Sequence, residues 1–236
     1  MRAQTTLTFL ACWTATGLSP TTAAAHSRDT PALAALQFFE SLPAPNVAAA
    51  LHALRPPQIS EAERTRVVSV LPETGELQPD RAERAKLAML EPVMVYHERA
   101  HAFEIKLIDV PQAFVGLHQR AVLLLSRPAV RLLSGVELQA LVAHEIGHEY
   151  FWTEFERTLA QKEGRGRQEL ELKCDGIAVL TLIALGLDPA CLADGLRKMT
   201  RFNETAGATA DADDYPRPHE RERFIKALRA LPFVAH

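Results

Sequence analysis

The chain has 236 residues, 47% of them hydrophobic, 23% charged and 6% aromatic; that suits one well-buried domain, or one domain with a helical appendage, and is short for two independent cores. A formal net charge of −3 and a pI near 6.3 exclude a strongly basic surface and argue against nucleic acid as a partner, because phosphate binding needs clustered Lys and Arg. Three cysteines without a CxxC pair exclude a disulfide scaffold and a four-thiolate zinc site.

The first segment reads as an address rather than a fold element. Met1-Arg2 supplies a positive start, Leu7 to Trp13 a modest apolar stretch, and Ala23-Ala24-Ala25 the small-x-small pattern of a signal peptidase site. Residues 1–25 are therefore expected to be a secretory signal cut near Ala25, leaving a secreted or periplasmic protein. Leu10-Ala11-Cys12 offers a lipoprotein signal at Cys12 as the lesser alternative. Cys174 and Cys191 then read as two separate buried thiols rather than a bridge. No other stretch reaches the ~18 apolar residues of a membrane span, so none is expected in the mature chain.

After a polar linker, residues 26–95 read as a helical N-terminal segment. Leu33, Leu36 and Phe39 share one helical face, and Val47, Leu51 and Leu54 another. Glu61 to Leu71 and Pro79 to Leu90 give two further helices. The period then changes: Phe103, Ile105 and Leu107 alternate with Glu104 and Lys106, as in a strand with one wet face. Ala113–Leu117 and Ala121–Leu125 add two strand candidates, with turns expected at Pro111 and Arg127-Pro128. A capping box, Ser134 with Glu137, opens a helix so apolar on every side that it should run through the domain centre. The polar stretch Gln161–Gln168, with Gly164 and Gly166, is expected to be a mobile loop outside the core. A helix from Glu169 to Leu185 should stop at Gly186, and Asp188-Pro189 should start another to about Met199. Asn203–Asp214 reads as an acidic loop, and Pro218 to Leu231 as the last helix.

The central helix carries His144-Glu145-Ile146-Gly147-His148. Two histidines four apart lie about 6 Å apart along the axis and only ~40° apart around it, so both imidazoles reach one tetrahedral ion. Zinc suits this donor set, taking nitrogen and oxygen ligands while keeping an open position for catalysis. Glu145, beside the first ligand, is placed to take a proton from zinc-activated water. Without an ion, two histidines and a glutamate in so apolar a helix would be costly to bury. The next helix offers a third ligand. Glu171 and Asp175 lie one turn apart on one face, so that Glu171 would complete a His2Glu site and Asp175 would hold a ligand imidazole by its far nitrogen. Glu169 competes with Glu171 as the ligand but lacks an acidic partner at helical spacing.

With these motifs in place, the chain resembles the M48 family of zinc metallopeptidases. The shared features are the HEIGH helix, Glu171-Leu172-Lys173-Cys174-Asp175 as an ExxxD motif, the following Gly186-Leu187-Asp188-Pro189, and upstream Asp109–Phe114 and Leu123–Ser126. The resemblance spans residues 100 to 228. It implies His144, His148 and Glu171 as ligands of one Zn2+ per chain, Glu145 as the catalytic residue, Asp175 as the support of a ligand, and endopeptidase action on polypeptides. Two positions depart from the family: Gln112 stands where Asn usually precedes Ala-Phe, and Tyr215-Pro216 stands where His-Pro usually follows the ExxxD helix.

The expected architecture is a mostly helical α+β fold, a zincin-like peptidase domain over residues 96–236 with a small sheet and the helical segment ahead of it. The expected function is a zinc metalloendopeptidase with Glu145 as general base and then acid. Tyr215 is a candidate donor to the developing oxyanion, with His219 next and Arg217 and Arg221 nearby. The competing readings are a chaperone-like or binding module that keeps zinc structurally, and a latent peptidase with an occluded cleft.

Overall fold

The computed structural model describes residues 30–71, 76–161, 164–207 and 215–235. The expected signal segment, including Cys12 and Ala25, lies outside them.

The N-terminal helices start where side-chain caps allow. Helix α1 (Pro31–Glu40) has Thr30 as N-cap and a proline in its first turn. Asn46 caps α2 (Val47–Leu54) and Ser60 caps α3 (Glu61–Ser69). Asp80 and Glu83 form a reciprocal capping box on α4 (Arg81–Ala88), and short α5 (Glu91–Tyr96) follows. Phe39 of α1 lies against Gly176, where an added Cβ would come within 2.3 Å of its ring. The core includes Phe39, Leu51 and Leu90 together with Leu138, Ile146, Ile177 and Leu180. One core thus spans the N-terminal helices and the segment that follows them.

Three strands come next: β1 (Glu104–Ile108), β2 (Val115–His118) and β3 (Val122–Ser126). Their order is β1-β3-β2. β1 runs parallel to β3, with Glu104 opposite Val122, and β2 runs antiparallel to it, with Val115 opposite Leu125. All five residues of β3 are buried, which explains its unbroken apolar run, since a strand covered on both faces cannot alternate. A small second cluster, Val67 of α3 with Ala121, Val122 and Leu124, covers one side of the sheet.

Arg127-Pro128 is no turn. Ser126 caps helix α6 (Arg127–Leu132), with Pro128 in the first turn, where a missing N–H costs nothing. Helix α7 (Gly135–Tyr150) opens on the expected capping box: Glu137 N–H donates to Ser134 Oγ at 3.3 Å and Ser134 N–H to Glu137 Oε2 at 2.7 Å. Arg99 Nε donates to Glu149 Oε2 at 2.8 Å, a buried pair that ties the end of α7 to the segment after α5.

The stretch expected to be a mobile loop is largely helical. Helix α8 (Trp152–Gln161) runs to its first residue, and α9 (Gly164–Ala184) takes in Gly164 to Gln168. Each helical glycine costs ~1 kcal/mol, and the helix forms nonetheless; Gln168 and Leu172 further along it line a groove with Thr30–Leu33 and Leu36. Gly186, at φ +69°, ends α9 as expected. Leu187 N–H reaches Leu182 O at 2.8 Å and Gly186 N–H reaches Ile183 O at 3.0 Å, the paired bonds of a Schellman stop.

Helix α10 (Ala190–Thr205) follows, with Asp188 Oδ1 accepting from Ala190 N–H at 3.0 Å. It runs past Met199 and takes in Asn203, the expected start of a loop. The reason is tertiary: buried Asn203 accepts from Ala113 N–H at 2.8 Å and donates to Ala113 O at 3.0 Å. Helix α11 (Pro218–Arg229) closes the fold. Among the described residues both cysteines are free, Cys174 fully buried and Cys191 half-buried. Among the described residues no helix is long and apolar enough to cross a membrane.

Candidate metal centre

Helix α7 presents His144 and His148 on the side that faces α9, with ring centroids 5.1 Å apart. Nitrogen and oxygen atoms from His144, Glu145 and His148 all lie within 4.8 Å of one another. The Glu171 carboxylate on α9 completes the group: Oε2 is 3.4 Å from His144 Nε2, and Oε1 is 3.6 Å from His148 Nε2. A tetrahedral zinc with bonds near 2.05 Å separates its ligand atoms by ~3.4 Å. The Glu171 carboxylate thus approaches each imidazole at about that spacing, with one oxygen toward each. Glu169 points elsewhere, pairing with Lys173 Nζ at 2.7 Å.

Close helix packing makes this geometry. Gly147 lies where α7 and α9 cross; an added Cβ would meet Cys174 Cα at 2.8 Å and Cys174 O at 3.0 Å. The far nitrogens of both imidazoles are engaged from α9. His144 Nδ1 lies 2.9 Å from Asp175 Oδ1, and His148 Nδ1 lies 3.4 Å from Cys174 Sγ. Each contact leaves Nε2 as the nitrogen turned to the centre. Phe155 of α8 closes over His148, ring to ring at 5.2 Å.

Arg221, buried on α11, donates from Nη1 to Asp175 Oδ1 and from Nη2 to Glu171 Oε2, the second at 3.1 Å. Asp175 Oδ2 has no partner among the described residues. Glu145 accepts from Leu117 N–H at 3.0 Å, which ties its carboxylate to β2.

Electrostatics separate the roles. Burial opposes charge on His144, but hydrogen bonds to Asp175 and Glu171 and their charges outweigh it and raise its pKa to about 10. Burial pulls His148 down to about 4, the neutral form a ligand needs. Burial also works against Glu171; even so, the His144 hydrogen bond and the charges of His148, His144 and Arg221 hold its carboxyl well below the usual range. Dehydration by its surroundings pushes Glu145 up to about 7. The same cause lifts the Cys174 thiol well above its ordinary value, so it stays protonated. A cationic His144 between two carboxylates is an arrangement in which a metal ion can take the proton's place.

The structure thus brings His144, Glu145, His148, Glu171 and Asp175 together. Tyr215 lies half-buried just ahead of α11, and His219 is exposed on its first turn. Three contacts have no signature at the level of motif: the Leu117 N–H, the Cys174 thiol, and the guanidinium that reaches both α9 carboxylates. For Arg221 the available signal was position, since it shares a helical face with Phe224, Ile225 and Leu228, all buried. No protein-family model matches the chain, and no curated protein matches it.

Proposed function

We propose that this chain is a zinc-dependent metalloendopeptidase with a zincin-like domain of the M48 type, exported by its N-terminal segment and acting on polypeptides. The observation that carries the reading is the close His144–Glu145–His148 group, with the Glu171 carboxylate 3.4 Å from His144 Nε2 through Oε2 and 3.6 Å from His148 Nε2 through Oε1. His144, His148 and Glu171 would hold the ion. When bound, zinc supplies Lewis acidity to the scissile carbonyl and to water.

The chain's own residues do the rest. Glu145, held by the Leu117 N–H and raised to about 7, suits proton transfer near neutrality. It takes a proton from the attacking water as the C–O bond forms. It then returns that proton to the departing amine as the C–N bond breaks. Asp175 accepts from Nδ1 of His144 and so holds that imidazole in the tautomer that presents Nε2, while Cys174 contacts Nδ1 of His148. Tyr215, at the head of α11, is the proposed donor to the developing oxyanion.

The test is metal analysis of the purified chain beside casein cleavage, with and without a chelator. One zinc per chain, cleavage abolished by chelation, and Glu145→Gln retaining zinc while losing nearly all activity are the expected results. Unchanged cleavage by Glu145→Gln would refute the mechanism. Stoichiometric zinc without any cleavage by the wild type would favour a binding module or a latent form.

A further inference from the structure

The mechanism above leaves one expensive group unused. Arg221 is only 7% exposed, and an arginine is almost never buried without a charged reason. Helix α11 does not need it for docking: Phe224, Ile225 and Leu228 already enter the core, and the Phe224 ring lies 6.2 Å from that of Phe39. What Arg221 meets is two carboxylates on another helix, Asp175 through Nη1 and Glu171 through Nη2.

Those carboxylates are one turn apart and both buried. Like charges at this spacing repel even on a wet helix, and burial strengthens the repulsion. A guanidinium suits this place because it is planar, always charged, and offers two nitrogens at fixed separation. An ammonium supplies the charge from one point only.

The geometry goes further at Glu171. The last torsion of a glutamate is soft, so nothing within the side chain fixes which way its two oxygens face. Arg221 takes Oε2 at 3.1 Å. Oε1 is thereby turned toward His148 Nε2, 3.6 Å away.

We infer that Arg221 is a positioning residue for the metal centre, supplied by the C-terminal helix, which joins the Glu171 and Asp175 carboxylates and orients Glu171 as a ligand. The inference rests on the metal-centre reading above. Docking of α11 thus sets metal affinity through one side chain.

The experiment measures Zn2+ affinity by competition with a chromogenic chelator, and the visible spectrum of bound Co2+ as a reporter of ligand geometry. It compares the full wild-type chain with Arg221→Met, Arg221→Lys and Phe224→Leu. Arg221→Met should bind zinc roughly 10–100-fold more weakly and shift the Co2+ spectrum. Arg221→Lys should lose less affinity while still shifting the spectrum, and it carries the test if the methionine variant does not fold. Phe224→Leu loosens α11 without touching a carboxylate and should keep wild-type affinity and spectrum. Wild-type binding and spectrum in both arginine variants would overturn the inference, as would an equal loss in Phe224→Leu, which would make the effect one of helix docking alone. A wild-type chain that binds no zinc would overturn the metal-centre reading itself, and this inference with it.

Discussion

Gly147→Ala probes whether the approach of α7 to α9 builds the proposed metal centre. The added methyl would lie 2.8 Å from Cys174 Cα and 3.0 Å from both Cys174 Cβ and Cys174 O. Ordinary carbon contacts are ~3.5–4.0 Å, so the two helices must part by roughly 0.7–1 Å there. The obstacle is mostly backbone, so no side chain can swing aside to absorb the change. Glu171 and Cys174 belong to the same stretch of α9, and the two histidines flank Gly147. A displacement of that size takes the 3.4 and 3.6 Å separations of Glu171 from the imidazole nitrogens past 4 Å, beyond the ~3.4 Å edge of a tetrahedral zinc site. Stability is the weaker readout: alanine gains ~1 kcal/mol over glycine in a helix, against ~1–3 kcal/mol for overpacking. Net destabilisation should therefore stay within ~2 kcal/mol, while zinc affinity should fall at least tenfold. Chelator competition measures the second and urea unfolding the first. Wild-type zinc affinity in Gly147→Ala would refute the argument that this contact sets the ligand geometry.

Two further outcomes follow from the same structure. Glu171→Ala should lose most zinc affinity, whereas Glu169→Ala should keep it, because Glu169 is engaged with Lys173; the reverse result in a zinc titration would reassign the third ligand. His97, buried between Tyr150 Oη and Thr181 Oγ1 at 2.9 Å each, is pulled down to about 3 by burial, with the charges of Arg55 and Arg99 adding. The unfolded chain therefore binds one more proton at this residue between pH ~6.5 and ~3. His97 stability is fully present above that window and falls by ~1.4 kcal/mol per pH unit within it as pH drops. His97→Gln should flatten urea stability against pH by that one-proton slope, and equal slopes would remove His97 from the acid response.

Local pattern specifies much of this protein. The capping box at Ser134 and Glu137, the left-handed Gly186, the buried run of β3 and the one-face spacings of His144 with His148 and of Glu171 with Asp175 all depend on residues within a turn or two. Backbone geometry alone then carries them into space. Tertiary structure decided the rest. Gly164 and Gly166 read as a loop because their propensity is poor, yet they open the long helix α9. Asn203 reads as a loop residue because nothing nearby predicts its bonds to Ala113, ninety positions away. The Leu117 N–H on Glu145, the Cys174 thiol on His148 and Arg221 across two carboxylates join segments 26 to 50 residues apart. Such contacts leave no local period, because their free energy comes from burial that exists only once the helices have met.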